Sequence, residues 1–428
     1  MTAQLTNFAG TVIGKLVRLS LSFRRGGGHA LPGLVVDSLL PKYVFSMLSQ
    51  LPEGVVVVTG TNGKTTTTKI IIHLLRANGK KALTNPTGSN MVRGVASALI
   101  GKATFFGKLP YDIAVLEIDE ASARLLVNKI KPRWVLALNV SRDQLDRYGE
   151  VDTIAKHIGA TMRAATEGVI ANANDPHLAK IGAEIAAKTT ATVDYFGFDG
   201  SLREHFPSDY ELAAVSKTKA ETATKKPAVK LNKFSGQNVT YEIDGQNYSA
   251  ELNLSGQHNF LNGTAALALV RKLLPEVSDA DLMAELAKVS LAFGRGETYK
   301  LRNGAQVELV LVKNPASFRQ ALASYDAKNS QLMIAINDNI ADSRDVSWLW
   351  DVSFSPLAGN LVALTSGQRA ADMALRLQYD DVQVLAIEPD PKTALAQLSQ
   401  RPGRKVILAT YTAMLQLYRF LSKNAEKI

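Results

Sequence analysis

The sequence contains no cysteine in its 428 residues. This absence excludes disulfides, thiolate metal sites and any thiol nucleophile supplied by this chain. No apolar run approaches the roughly 20 residues that a membrane-spanning helix needs, and charges interrupt the apolar stretch near the N-terminus, which argues against a signal peptide. With 46% hydrophobic residues, 21% charged residues and a mean hydropathy of −0.01, we expect a soluble globular protein.

The charge balance is basic, with a formal net charge of +10. A basic chain can bind nucleic acid, but this sequence lacks the aromatic-rich basic strands and zinc fingers typical of such proteins. The charge equally suits phosphorylated substrates or an anionic membrane surface, and a generally basic solvated surface explains most of it. We therefore predict no nucleic-acid partner.

Residues 1 to about 33 contain a short amphipathic stretch that ends at three consecutive glycines. Its apolar residues are Phe8, Val12, Ile13, Leu16 and Leu19, and its basic residues are Lys15, Arg18, Arg24 and Arg25. Such a stretch can lie on a membrane surface or pack against the following domain. Of these two alternatives we favour packing.

A glycine loop follows a run of β-branched residues at positions 55–59. The loop consists of Gly60, Thr61, Asn62, Gly63, Lys64, Thr65 and Thr66. A helical pattern comes next, and strand, loop and helix in this order form a phosphate-binding loop. In such a loop Lys64 reaches the terminal phosphates and the Thr65 hydroxyl ligates Mg²⁺. Because the usual motif begins with glycine where this chain has Val58, the loop is a shortened form. We predict a nucleotide site here.

Strand patterns alternate with helical patterns from residue 55 to about 195, and again from about 293 to the C-terminus. This alternation predicts an α/β fold with mostly parallel sheets. Between about 200 and 252 the pattern changes. Residues 217–233, rich in Lys, Thr and Ala, indicate a flexible surface insertion, and Asp244-Gly245 predicts a β-hairpin.

We predict three parts: an N-terminal helical segment at 1–45, a nucleotide-binding domain at 46–292 that includes the insertion, and a C-terminal α/β domain at 293–428.

Polar residues follow several predicted strands, at the sheet edge where parallel sheets bind ligands. Glu117 closes an apolar strand and is the candidate Mg²⁺ ligand. Asp119 and Glu120 are its rivals, or they are acids at a helix N-terminus. Asn262 belongs to an amide-rich segment before a helix. Arg295 lies at the predicted domain junction, where it is either a residue that swings onto a γ-phosphate on domain closure or a solvated hinge residue.

Together these residues resemble the Mur ligase family. Residues 60–66 are similar to the family's ATP loop, Glu117 to its magnesium-binding glutamate, and residues 258–262 with Gly294 and Arg295 to its downstream ATP motifs. The resemblance implies a central P-loop domain and a Rossmann-like C-terminal domain, with ATP and Mg²⁺ as cofactors. It also implies that a carboxylate attacks the γ-phosphate and that an amine converts the acyl phosphate to an amide.

Within this family the chain resembles the MurT subunits of lipid II isoglutaminyl synthases, which share its shortened start. Segments 85–91, 116–120, 312–316 and 337–348 carry this resemblance. It implies a glutaminase partner of the GatD type. It also implies amidation of the D-glutamate α-carboxyl of lipid II, by a cytoplasmic protein that acts at the inner face of the cytoplasmic membrane.

The subfamily resemblance gives Asp345 a role, because such partners lack the third member of their catalytic triad. It implies that Asp345 supplies this acid and that Trp348 packs at the same interface. Asp338 and Asp342 are nearby rivals for this role, and from the residues alone all three are turn or helix-capping acids.

For three features of these families, we assign no residue of this sequence. Many MurT-type chains carry a four-cysteine zinc ribbon, and the absence of cysteine here predicts no structural zinc. The modified lysine of many Mur ligases falls near Ile158, where Lys156 is out of register. The ribose-binding aspartate falls near Val310, so ribose contacts are not assigned.

Two other functions compete with amidation. One is a stand-alone ligase that adds an amino acid, as folylpolyglutamate synthase does, and the need for a glutaminase separates the two. The other is a nucleotide-gated scaffold for nucleic acid, which we rank far below both. The third residue of the stem peptide and the oligomeric state beyond a heterodimer are not fixed by the sequence.

Overall fold

The computed structural model describes residues 2–22, 30–86, 91–141, 151–206, 225–254, 256–290, 295–323, 325 and 330–428. The chain divides into two compact units, one that takes in Met1–Val140 and Val151–Ser290 and one built on Leu291–Ile428. Within the described ranges, no helix has both the length and the apolar character needed to cross a membrane. Both units are α/β, and the predicted fold class is confirmed.

A single sheet forms the centre of the first unit. Its strands in the described residues are β1 Val55–Thr59, β2 Ala82–Leu83, β3 Ile113–Glu117, β4 Trp134–Ala137, β5 Gly168–Asn172, β6 Thr192–Phe198, β7 Val229–Ser235, β8 Asn238–Ile243 and β9 Gln246–Glu251. They lie in the order β2-β3-β1-β4-β5-β6-β7-β8-β9. Pairing is parallel from β2 to β7 and antiparallel from β7 to β9.

Helices surround this sheet. Those of the described residues are α1 Ala3–Ser22, α2 Leu31–Leu39, α3 Tyr43–Leu48, α4 Lys64–Ala77, α5 Val92–Lys102, α6 Glu120–Ile130, α7 Val151–Arg163, α8 Pro176–Lys188, α9 Gln257–Leu273 and α10 Asp279–Ala287. Helix α1 packs through small residues. A Cβ added at Gly10 would overlap Tyr43 of α3, and one at Gly14 would overlap Ile100 of α5. The expected packing of the N-terminal stretch is therefore present on one face of α1.

The β1 strand lies inside the sheet. It pairs in parallel with a strand on each side, and all five of its residues are buried. A central parallel strand must be apolar on both faces, and the β-branched residues Val55 to Val58 meet that requirement. The strand therefore delivers the glycine loop to the carboxyl edge of the sheet.

The predicted insertion is partly wrong. Residues 207–224 lie outside the described residues, but 229–235, which include the end of the Lys-rich stretch, form β7 and extend the sheet. The strand was missed because Lys230 and Lys233 interrupt its apolar pattern. The hairpin is confirmed: β8 and β9 are joined by Asp244 and Gly245 with φ of 47° and 90°, the positive values of a type I′ turn.

A second sheet forms the centre of the C-terminal unit. Its strands in the described residues are β10 Arg295–Leu301, β11 Gln306–Leu311, β12 Ser330–Ala335, β13 Leu361–Ser366, β14 Gln383–Glu388, β15 Arg404–Ala409 and β16 Ala425–Lys427. The order is β14-β13-β12-β15-β11-β10-β16, with antiparallel pairing only at β10 and β16 among the strands described. Helices α11 Pro315–Ala323, α12 Ala370–Gln378, α13 Pro391–Ser399 and α14 Tyr411–Asn424 accompany it.

Candidate active site

Residues 60–63 of the glycine loop join β1 to α4, and their conformation requires glycine at the first and last of these positions. Gly60 and Gly63 have φ of 128° and 86°, in the region that L-residues with a side chain rarely adopt. A Cβ at Gly63 would overlap Oδ1 of Asn262, and one at Gly60 would lie 3.0 Å from the backbone nitrogen of Asn139. The loop is therefore fixed both by its backbone and by its neighbours.

Asn139, at the end of the chain segment that follows β4, holds the loop from the side. Its Oδ1 accepts from the Asn62 backbone N–H at 2.8 Å, and its Nδ2 donates to the Asn62 carbonyl at 3.0 Å. Its own carbonyl accepts from the Thr61 N–H at 3.0 Å. Three hydrogen bonds to adjacent loop residues fix the direction of the loop. The sequence predicted polar residues at this strand end but not this role.

Lys64 begins α4 and its side chain is buried. Its ammonium group donates to the carbonyls of Gly60 and Thr61, the second at 3.2 Å. It also forms an ion pair of 3.3 Å with Glu120, the first residue of α6. The amine is therefore located beneath the loop. Glu120 is both the expected acid at a helix N-terminus and the partner of this lysine.

Glu117 and Thr65 are adjacent. The Thr65 hydroxyl donates to Oε1 of Glu117 at 2.8 Å, and the glutamate side chain is buried. Asn85 orients the glutamate backbone: its Oδ1 accepts from the Glu117 N–H at 3.0 Å, and its Nδ2 donates to the Glu117 carbonyl at 2.9 Å. A hydroxyl and a carboxylate held this close are the hard oxygen ligands that Mg²⁺ takes in proteins. The donor set therefore fits the predicted metal.

Asp175 has a structural role at the same sheet edge. One of its carboxylate oxygens accepts from the Val140 N–H at 2.7 Å, and the other accepts from the N–H groups of His177 and Leu178 in the first turn of α8. Burial raises the pKa of this carboxyl, although the backbone donors oppose the effect. Asp175 thus caps α8 and anchors the chain after β4.

Asn262 lies buried on α9, where its Nδ2 donates to Oδ1 of Asn259 at 3.0 Å. Its other amide atom, Oδ1, faces Gly63. The structure thus brings the glycine loop, Glu117 and Asn262 together in the first unit. Arg295 is the first residue of β10 in the second unit, and its side chain lies outside the described residues, as do residues 142–150 and 291–294.

Three aspartates in the second unit have different environments. Asp338 pairs with the Arg369 guanidinium at 2.7 Å, and buried Asp342 accepts from the backbone and hydroxyl of Thr412. Asp345 is half-buried. Its Oδ1 accepts from the Ser347 N–H at 2.8 Å, and the hydrogen bonds from Ser347 hold the pKa of the carboxyl below its usual value.

These environments separate the three candidates. Asp338 and Asp342 are each bonded to a neighbouring side chain. Asp345 forms a turn, as the sequence alone suggested, and keeps an ionised, partly accessible carboxylate. The expectation for Trp348 is wrong: only 5% of its surface is exposed, and its ring lies 6.2 Å from that of Phe318 in the core of the second unit.

Comparison with known proteins gives concordant results. Residues 58–270 match the model of the Mur ligase middle domain, and residues 311–414 match the model described as MurT ligase C-terminal. The MurT subunit of lipid II isoglutaminyl synthase (glutamine-hydrolyzing) from Streptococcus pneumoniae is 31% identical over 455 aligned positions, which cover 97% of each chain.

Solved structures share the fold. A pseudomurein peptide ligase type C from Methanothermus fervidus has a TM-score of 0.66 at 17% identity, over 91% of this chain and 84% of that one. MurF from Thermotoga maritima, solved in complex with ADP, has a TM-score of 0.64 at 16% identity with the same coverage.

The fold, the loop and the family models together define an ATP-dependent ligase of the Mur type. Within that class the chain belongs to the family of MurT subunits of lipid II isoglutaminyl synthases. The family resemblance stated from the sequence is confirmed.

Proposed function

We propose that this chain uses ATP to amidate the α-carboxyl of D-glutamate in the stem peptide of lipid II, which gives D-isoglutamine. The observation that carries the proposal is the glycine loop with its Thr65–Glu117 pair, in a chain 31% identical to a protein named for that activity. Residues 46–292 would form the ATP-binding domain, residues 293–428 the partner-binding domain, and residues 1–45 a helical extension of the first.

Each residue of the nucleotide site receives a role in this proposal. The backbone N–H groups in the first turn of α4 face the phosphates, as a helix N-terminus favours, while the N–H groups of Thr61 and Asn62 keep their hydrogen bonds to Asn139. Lys64 neutralises charge on the terminal phosphates, while Thr65 and Glu117 hold Mg²⁺. Bound there, the metal would supply further neutralisation of the phosphate charge. Asn262 supports the loop, and Arg295 is proposed to contact the γ-phosphate.

The proposed reaction has two steps. An oxygen of the substrate carboxylate bonds to the γ-phosphorus while the bond to ADP breaks, which gives an acyl phosphate. Ammonia then bonds to the acyl carbon, the bond from that carbon to the phosphate oxygen breaks, and the proton that the nitrogen loses ends on the departing inorganic phosphate. Most of the catalytic effect would come from positioning and from neutralising charge, as in other phosphoryl transfers.

The nitrogen must come from elsewhere when glutamine is the donor. Class I glutaminases release ammonia through a cysteine thioester, and this chain has no cysteine. We therefore propose a GatD-type glutaminase as partner. Asp345 is ionised and partly accessible, as an acid that orients a partner's histidine across an interface must be.

The proposal places the enzyme at the inner face of the cytoplasmic membrane, because its substrate carries a lipid.

The test of the nucleotide site compares Lys64→Ala and Glu117→Ala with Lys81→Ala, which removes an exposed lysine outside the site. Ammonium-driven, ATP-dependent amidation of lipid II should fall at least ~10²-fold in the first two variants and stay at the wild-type rate in the third.

Two outcomes would contradict this assignment. Near-normal turnover of the Lys64 or Glu117 variant, with its fold verified by circular dichroism, would show that this site does not carry the reaction. Addition of an amino acid in place of ammonia, without any glutaminase, would instead identify the stand-alone ligase.

A further inference from the structure

The exposed face of α1 is apolar. Leu5, Phe8, Val12, Leu16 and Leu19 recur at the spacing of one helical stripe, and Leu16 and Leu19 are 60% and 57% exposed. The opposite face, with Gly10 and Gly14, packs on the first unit. A helix that is anchored on one face and apolar on the other leaves a large apolar surface in water, which marks an interaction site.

Two phenylalanines extend this stripe. Phe105 and Phe106 are 59% and 74% exposed, and the Phe105 ring lies 6.5 Å from that of Phe8. Their turn is held in place: the Gln50 amide donates to the Gly107 carbonyl at 3.0 Å, and the Thr104 N–H donates to the Lys108 carbonyl at 2.8 Å. The two rings are therefore presented by a fixed turn. We call the α1 stripe together with Phe105 and Phe106 the N-terminal apolar face.

Basic residues border this face. Lys15 donates to the Ala103 carbonyl at 2.8 Å, Arg18 lies over Gly101, and Lys102 and Lys108 flank the phenylalanine turn. Residues 1–111 contain 13 Lys and Arg against two acidic residues, whereas the remaining 317 residues contain 36 basic and 37 acidic ones. The net positive charge of the whole chain is thus concentrated in the part that carries the apolar face.

We propose that the N-terminal apolar face docks on an anionic lipid bilayer. Apolar side chains with a border of Lys and Arg are the composition of interfacial helices, and an anionic leaflet attracts each nearby basic residue. The meaning of this docking for catalysis rests on the proposed function, since it would bring the ATP site to a lipid-linked substrate. The docking itself is measured without substrate.

The test is co-sedimentation of the full-length chain with vesicles of phosphatidylglycerol and phosphatidylethanolamine, compared with pure phosphatidylcholine. Wild-type protein should sediment with the anionic vesicles, and raising the salt concentration should reduce this binding. The double variant Phe105→Ser/Phe106→Ser should lower the partition coefficient roughly tenfold or more, given the apolar area removed. Lys108→Glu should lower it by about the same factor.

Matched controls lie in the second unit. Tyr379→Ser removes a ring that is 68% exposed, and Lys392→Glu reverses an exposed lysine; both should bind vesicles like the wild type. The phenylalanine variant should also keep its activity on lipid II in detergent micelles and lose it on lipid II in vesicles. That pattern would support docking whether or not the product is D-isoglutamine.

Absence of binding to the anionic vesicles would overturn the proposal, as would an equal loss in the Tyr379 and phenylalanine variants. Loss of a co-purifying protein partner in the phenylalanine variant, with unchanged vesicle binding, would show that the face is a protein interface. Failure of amidation in every variant and in the wild type, with vesicle binding intact, would reject the proposed function and leave the docking surface standing.

Discussion

Gly63→Ala should impair nucleotide binding through a contact that Gly79→Ala does not make. Gly63 starts α4 with φ of 86°, and Gly79 follows α4 with φ of 83°. A Cβ at Gly63 would overlap Oδ1 of Asn262, whereas a Cβ at Gly79 has no atom within 4 Å. The two substitutions impose the same backbone strain and differ in their neighbours, so Gly79→Ala is a matched control.

The expected magnitude follows from two costs. A left-handed backbone costs an L-residue roughly 1–2 kcal/mol, and each variant should lose at most about that much stability from this cost. In Gly63→Ala, displacement of Asn262 also endangers its 3.0 Å hydrogen bond to Asn259, which is worth about 0.5–1.5 kcal/mol. In the free protein the loop relaxes away from the phosphate-binding shape, and ATP binding must restore that shape at a cost of about 1.5–3.5 kcal/mol, which should weaken the affinity roughly 10- to 400-fold.

Titration calorimetry with a non-hydrolysable ATP analogue and Mg²⁺ measures the affinity, and urea unfolding measures the stability. We expect Gly79→Ala to bind the nucleotide within about twofold of wild type and to be destabilised. Equal affinities for wild type and Gly63→Ala would refute the reasoning that this loop binds ATP in the observed conformation. Equal weakening in both variants would show that the strain acts through α4 rather than at the loop.

Three further predictions concern the second unit. Asp345→Asn keeps an oxygen that accepts from the Ser347 N–H but loses the charge. Glutamine-driven amidation with the partner should therefore fall ~10³- to 10⁴-fold, while the ammonium-driven rate and complex formation persist. Asp351→Asn is the control, and an equal loss with both nitrogen sources would exclude the triad role. Arg376→Ala removes a buried guanidinium that holds two carbonyls and a carboxylate, so urea unfolding should show a loss of about 3–5 kcal/mol, and a loss below 1 kcal/mol would contradict it. Burial raises the pKa of the Asp342 carboxyl above 3.8. Its contribution to stability is therefore present below pH 3.8 and is lost as the pH rises from 3.8 through the raised pKa. Over this pH rise, the thermal unfolding midpoint of Asp342→Asn should fall less than that of the wild type.

Local patterns in the sequence were sufficient to predict the nucleotide loop. A β-branched strand, two glycines with special backbone angles and a helix are encoded within about 25 consecutive residues, and Glu117 ends a strand whose apolar run is unbroken. The prediction that Glu117 closes an apolar strand is confirmed for the same reason. The site residues themselves, as ligands of ATP and Mg²⁺, stay predictions.

Contacts between distant segments could not be predicted. Asn139 holds a loop that lies 77 positions earlier, and Asn85 pairs with the backbone of Glu117 across 32 positions. Neither asparagine differs in its local pattern from a turn residue. Trp348 was assigned to an interface through the subfamily resemblance, whereas the core of the second unit buries it. No local pattern predicts strand β16, since it has three residues and no apolar periodicity.

The most direct test of the central claim is the nitrogen source used by the isolated chain. Purified protein with ATP, Mg²⁺ and lipid II should incorporate nitrogen from isotope-labelled ammonium into the D-glutamate α-carboxyl, detected by mass spectrometry, with one ADP formed per amide. With glutamine as the only nitrogen source the isolated chain should form no amide until a cysteine-bearing glutaminase is added. Amide formation from glutamine by this cysteine-free chain alone, or from ammonium without ATP, would contradict the account.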